Sequence, residues 1–347
     1  MTRPLLVSDD AVLVDEVLRL AAASDVEVHL AADAESARAH WSLAPLVIVG
    51  ADQAARVAGM RPERRRDVVL LGRHLTDVDW QRAVTLGAEH VAALPDAERW
   101  LIDRLADTGD GPARHGLVLA VMSAGGGAGA STLAATLAAA AAQDRRVLLV
   151  DLDPLAGGMD VLVGIEDVTS TRWDDLADTR GRLSIATLTA SLPQWAGVCL
   201  VSWGRDGVER VTPDPLSAVL DAGERGFDLV VVDLPRTLDE QTELVLGRAR
   251  RVLLVTAATV RGVAAASRIV PLLRERSASV GLVVRAVPRG VSVSAVSASS
   301  QTPVLGDVPF SAAVAARCDA GEGPSLSDAY GRAVRRLLPA ALEGLAP

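Results

Sequence analysis

Four glycines between positions 125 and 129, followed at once by Ser131 and Thr132, are the first residues whose types and spacing suggest chemistry. The stretch follows an apolar run, residues 117–122, and opens an alanine-rich run, residues 133–142. That pattern reads as strand, glycine loop, helix. Such a loop turns backbone N–H groups and a helix N-terminus toward an anion, usually a phosphate. The hydroxyls of Ser131 and Thr132 fall where a phosphate loop holds Mg²⁺. A distant apolar run, Leu229-Val-Val-Val-Asp233, ends in a carboxylate, as the metal-side strand of a phosphate-binding sheet does.

A second pattern fits the same residues. Gly125, Gly127 and Ala130 match G-x-G-x-x-A, and Asp151 ends the next apolar run, as in a dinucleotide fingerprint. A plain glycine turn packing a helix on a sheet is the third reading. The residue that would make the loop a nucleotide-hydrolysing site, a lysine just before Ser131, is Ala130. The sequence holds no lysine at all, so its 35 basic residues are arginines and no lysine can reach the loop from elsewhere in the chain.

The elements that must position these residues alternate along the whole chain. In the first part, strands are predicted at 5–8, 26–30, 46–49, 68–71 and within 87–95, with helices at 12–22, 34–41, 80–86 and 96–105. In the second, buried strands are predicted at 117–122, 147–152, 198–202, 229–233, 252–256, 280–284 and 302–308. Helices at 312–317 and 327–338 close it, and the Ser-alternating stretch 292–300 carries no clear prediction. Alternation of this kind argues for two doubly wound parallel-sheet α/β domains, whose ligands bind at the carboxyl ends of the strands. Thr108 to His115, a short Gly- and Pro-bearing stretch, reads as the linker between residues 1–107 and 116–347.

Composition narrows the functional classes. Of 347 residues 50% are hydrophobic, enough for two cores, and no apolar run reaches the roughly 20 residues of a membrane span. No signal peptide is seen, and a cytoplasmic protein is expected. A net charge of −9 disfavours specific binding to nucleic acid. Cys199 and Cys318 are expected to be small buried hydrophobes, and the five histidines show no metal-ligand spacing. Residues 329–338 place Ala333, Val334 and Leu337 on one helical face. Pro339 is expected to end that helix, which reads as packed on the sheet rather than as a membrane anchor.

The first part resembles the receiver domain of bacterial response regulators. Asp9 and Asp10 stand at its metal-binding acidic pair, and Gly87-Ala88 and Leu94-Pro95 at its closing motifs. The phosphate-accepting aspartate is replaced by Gly50, with Asp52 as a substitute two residues on, and the receiver lysine by Leu94. The resemblance thus implies a CheY-like pseudo-receiver used for protein contact. The second part resembles the MinD/ParA family of deviant Walker A P-loop ATPases, on the order Gly-Gly-x-Gly-x-Ser-Thr, Asp151-Leu-Asp153-Pro, Val-Val-Asp233-Leu-Pro. It is most similar to the CpaE-like branch. The run 151–160, with Arg172-Trp173 and Val201-Ser-Trp203, resembles an actinobacterial subgroup of septum site-determining and CpaE-like proteins.

This resemblance implies ATP and Mg²⁺ as ligands. Gly126, Gly127, Gly129, Ala130, Ser131, Thr132, Asp151 and Asp233 would hold them, Ser131 and Asp233 on the metal side. It makes Asp153 the candidate beside the attacking water. It implies dimers that sandwich nucleotide, and protein partners in division or in pilus and secretion machinery. Both family lysines are missing, at Gly125 and Ala130, and the adenine-contacting Val-x-Asn-Arg strand end reads Val283-Val284-Arg285. Weak binding and little or no hydrolysis follow. Arg205, Arg236 and Arg261, just past strand ends, are the candidate replacement cations for an ATPase that works without lysine. A dinucleotide-binding oxidoreductase is the further alternative.

Overall fold

A computed structural model describes residues 3–24, 26–109, 116–179, 182–205, 210–277 and 279–345. The chain divides into two compact units, residues 1–113 and 114–347. Most of the expected linker, residues 110–115, lies outside the described residues.

The first unit alternates β1 (Leu5–Val7), α1 (Ala11–Ala23), β2 (His29–Ala31), α2 (Ala34–Ala37) and β3 (Val47–Gly50). It continues with α3 (Ala54–Gly59), β4 (Val68–Gly72), α4 (Asp77–Leu86), β5 (His90–Ala93) and α5 (Glu98–Gly109). The strands pair in parallel in the order β2-β1-β3-β4-β5. Central strands β1, β3 and β4 are buried along their whole length, so they read as unbroken apolar runs. One core lies on each face of the sheet. Helix α2 is shorter than the expected 34–41. The chain leaves it at Arg38 and turns, and Trp41 is buried with its indole N–H donated to the Glu63 carbonyl (3.0 Å).

The second unit opens with β6 (Leu117–Ser123), α6 (Ala130–Ala141), β7 (Val147–Asp151), α7 (Met159–Val163), α8 (Trp173–Leu176) and α9 (Ile185–Ser191). Then come β8 (Gln194–Trp195), β9 (Val198–Val201), α10 (Pro213–Gly226), β10 (Leu229–Leu234), α11 (Glu240–Arg248) and β11 (Arg251–Ala257). Helix α12 (Val260–Arg274), β12 (Val280–Arg285), α13 (Val293–Ser300), β13 (Val304–Val308), α14 (Ala312–Asp319) and α15 (Ala329–Leu342) complete it. The sheet order is β13-β12-β11-β6-β10-β7-β9-β8, parallel except for the short edge pair β8–β9. Helix α6 is buried over ten of its twelve residues. Its alanines favour helix and let it lie close against the sheet.

One open stretch is now assigned and one expectation changes. The stretch 292–300 is a helix, α13, capped by the Ser292 hydroxyl on the Ala295 N–H. Pro339 does not end the last helix, which runs on to Leu342. Buried Leu337 and Ala341 hold α15 on the sheet, while Pro339 lies on the exposed side, where the carbonyl that loses its N–H partner can turn to water. No helix among the described residues is long and apolar enough to cross a membrane.

Candidate functional site at the carboxyl ends of the second sheet

Strand β6 is central, between β10 and β11, so the loop leaving it stands in the middle of the sheet's carboxyl edge. Gly127 (φ 67°) and Gly129 (φ 93°) adopt left-handed backbone, which glycine alone takes readily. Gly129 is the N-cap of α6 and has no side chain to offer its first turn. The N–H groups of Ala130, Ser131 and Thr132 therefore begin the helix without a side-chain cap, and the partial positive charge of the helix end adds to them. A side chain built on Gly125, Gly126, Gly127 or Gly129 would meet no atom within 4 Å. The loop is an open cradle of donors.

Asp233, at the end of β10, lies in register with Val121 on one side and Asp151 of β7 on the other. It is buried, and the nearby Ser131 hydroxyl favours its ionised form. Its pKa is pushed up to about 8, chiefly by burial, with the charges of Asp151 and Asp153 adding to it. That of Asp151 is pushed up to about 6, again chiefly by burial. Ser131, Asp151, Asp233, Cys318 and Asp319 line a cavity of about 330 Å³. Its polar lining is carboxylates, a hydroxyl and a thiol, beside apolar Met159, Val161 and Leu162, and no guanidinium lines it. Cys318 borders the site and also packs against the core, and burial pushes its thiol pKa up.

The other acidic residues serve different ends. One Asp151 oxygen accepts from the Met159 N–H (2.8 Å) and the Ser202 hydroxyl (3.4 Å), the other from the Asp153 N–H (3.1 Å). The Asp151 carbonyl accepts the Trp173 indole N–H at 2.8 Å. Ser202 also bonds buried Asp160 (3.2 Å), which pairs with Arg172 (3.6 Å) and Arg205 (4.0 Å). Asp160, Arg172, Trp173 and Ser202, present in the sequence only as a family-like run, form one buried polar framework behind Asp151. Asp153 is half-buried and is not part of that cavity's lining; its carboxylate accepts the Leu155 N–H at 3.1 Å.

Of the three arginines proposed as replacement cations, Arg205 is engaged by Asp160. Among the described residues, Arg236 and Arg261 make no hydrogen bond to the loop. The guanidinium that does reach it is Arg285, at the end of β12. Its Nη1 donates to the Gly127 carbonyl (2.8 Å), and its central carbon stands 5.7 Å from the Phe310 ring centroid. Its Nε is buried and has no hydrogen-bond partner among the described residues. The sequence marked Arg285 only as a departure from a motif.

In the first unit Gly50 does end β3, and a side chain built there would stand 2.1 Å from an Asp52 oxygen. Asp52 thus fills the space that an acceptor side chain would occupy. It is held there by the Ser8 hydroxyl (2.9 Å) and the Asp9 N–H (3.0 Å). Asp10 caps α1, accepting from Val12 and Leu13. Among the described residues no cluster of three or more His, Cys, Asp or Glu side chains could hold a metal ion.

Residues 6–116 match the model of the Rv3660c-like, CheY-like N-terminal domain. Residues 119–324, more than half the chain, match that of the CobQ/CobB/MinD/ParA nucleotide-binding domain. The chain is 38% identical over 301 residues to the uncharacterized protein Rv3660c of Mycobacterium tuberculosis, covering 85% of each. The fold is similar to that of a ParA family ATPase from Chlorobium tepidum (TM-score 0.58, 18% identity, 65% of this chain and 97% of that one). It is also similar to MinD from Pyrococcus horikoshii complexed with Mg-ADP (TM-score 0.56, 20% identity, 66% and 96%). This chain therefore belongs to the CobQ/CobB/MinD/ParA nucleotide-binding family, with an N-terminal CheY-like domain of the Rv3660c-like type.

Proposed function

We propose that this chain is a MinD/ParA-like regulator that positions septum, pilus or secretion machinery through protein contacts, as a dimer, and binds ATP·Mg²⁺ weakly with little turnover. The observation that carries the nucleotide half is the open glycine cradle at an uncapped helix start, beside Ser131 and Asp233. Backbone N–H groups from Gly126 to Thr132 would hold phosphate oxygens. The Ser131 hydroxyl and Asp233 would hold the metal ion, whose charge would offset both the phosphates and the buried carboxyl. Asp153 stands nearest to the role of orienting a water. The positioning half rests on the family and on the CheY-like unit.

Magnitudes favour a weak site. Each lost charge-assisted hydrogen bond costs about 1.5–3 kcal/mol, roughly one to two decades in affinity. Two absent lysines would move a micromolar site toward millimolar. A cation at the transferring phosphoryl group is worth about 10³–10⁵ in rate. The Arg285 bond to Gly127 supports a second reading, in which Arg285 turns from the carbonyl to the phosphates and restores part of that charge.

Calorimetric titration with ATP·Mg²⁺, ADP, NAD and NADP tests both. Weak ATP·Mg²⁺ binding that tightens at least about tenfold in Gly125→Lys, with negligible hydrolysis, supports the first. Turnover abolished by Asp153→Ala and by Arg285→Ala supports the second. Binding of NAD alone would sink both.

A further inference from the structure

The CheY-like unit carries a basic pocket on an acidic body. Residues 1–113 hold twelve arginines against nineteen aspartates and glutamates, net −7. Yet residues 61–66, Arg-Pro-Glu-Arg-Arg-Arg, carry net +3 within six positions. Arg38, just after α2, faces the same place. Arg38, Trp41, Met60, Arg61, Pro62 and Glu63 line a cavity of about 230 Å³. Among the described residues, Arg38, Arg61, Arg64 and Arg66 form no ion pair.

The pocket is built rather than accidental. Its Trp41 wall is 6% exposed and is fixed at both ends: the indole N–H is on the Glu63 carbonyl, and the Trp41 carbonyl takes Arg65 Nη1. Burial pushes the Arg65 pKa down, but the guanidinium stays charged near neutral pH. Arg61 (φ 47°) and Asp67 (φ 61°) bracket the basic run in left-handed backbone. That conformation costs a non-glycine residue about 1–2 kcal/mol, and Asp67 is further tied to Arg104.

We propose that this pocket docks a short acidic peptide segment of a partner protein. The carboxylates of the segment would pair with Arg38 and Arg61, whose forked donors match them. An apolar side chain of the segment would enter against Trp41, Met60 and Pro62. The ligand class follows from charge and size. A duplex nucleic acid or an anionic membrane needs an extended basic face. Here the attraction ends within about a Debye length, roughly 8 Å, and the surrounding unit is net negative. Glu63 on the rim opposes a dense polyanion further and leaves a segment with spaced carboxylates as the fitting partner.

The test is fluorescence anisotropy of the full chain with a labelled peptide of alternating glutamate and leucine, against the same peptide with glutamine for glutamate. Saturable binding is expected for the acidic peptide only. It should weaken about tenfold or more in Arg38→Glu/Arg61→Glu and fall as salt rises from about 50 to about 300 mM. Arg99→Glu, an exposed arginine elsewhere on the unit, should leave it unchanged, and Arg38→Gln alone should weaken it without disturbing the fold. Equal binding of the two peptides, binding untouched by the charge reversal in a folded protein, or displacement of the peptide by duplex DNA or phosphatidylserine vesicles at lower concentration would each overturn the proposal.

Discussion

At Asp233 the chain holds a carboxyl in a place that does not favour its charge. An ordinary aspartate ionises near 3.8, and here the value is about 8. Between those values the folded chain keeps a proton that the unfolded chain has lost, so stability falls as pH rises through the window. Below about pH 4 both states are protonated, and above about pH 8 the loss is complete. Asp233→Asn keeps the shape and a partner for Ser131 while removing the titration. We expect this variant to melt higher than the native protein at pH 8 and to differ little at about pH 4, by about 2–4 °C for each kcal/mol recovered. A variant equally destabilised at every pH would show that the carboxyl matters for packing and not for charge. A divalent cation should act in the same direction by favouring the ionised form. Mg²⁺ should therefore raise the melting temperature of the native chain more at pH 8.5 than at pH 6, and do so little in Asp233→Asn.

Elements decide which of these residues meet. Strand β12 lies two places from β6, and that order brings Arg285 to Gly127 across 158 positions of sequence. The glycine loop and the aspartate at the end of β10 were legible, because a local spacing carries each. Arg285 was not, since nothing within either segment records the strand order. The same limit explains Asp52: the missing acceptor at Gly50 could be read, but not that a neighbouring carboxylate turns back into its space. Asp160, Arg172 and Ser202 could be quoted as a run, while their shared framework required the sheet. The last helix gives an element-scale test. Arg251, at the start of β11, donates Nη1 to the Ala340 (2.6 Å) and Ala341 (3.2 Å) carbonyls and Nη2 to that of Glu343 (3.1 Å). These are the free acceptors at the C-terminal end of α15, and a cation there also opposes the helix dipole. Arg251→Ala should cost about 1.5–3 kcal/mol, and faster amide exchange should be confined at first to α15. Loss of stability with no local change in α15 would place the role of Arg251 elsewhere.

Across the whole molecule, each unit closes its own hydrophobic core. The two clusters of the first sheet draw only on residues before 106, and the two of the second only on residues after 116. Every group assembled at the candidate nucleotide site, from Gly125 to Phe310, comes from the second unit. Its sheet spans eight strands with helices on both faces, and the seven of them that pair in parallel need no strand from the first unit. A chain of this length, about 230 residues, is within the size at which one core suffices. Residues 116–347 expressed alone should therefore fold cooperatively and bind ATP·Mg²⁺ as the full chain does, within about threefold, less than 1 kcal/mol. The acidic-peptide site should be absent from that fragment, because Arg38, Trp41 and Arg61 all belong to the first unit. Calorimetry and anisotropy on the same preparation read both. If the fragment folds and yet loses the nucleotide, the CheY-like unit takes part in the site, and the division of labour drawn from the two cores fails.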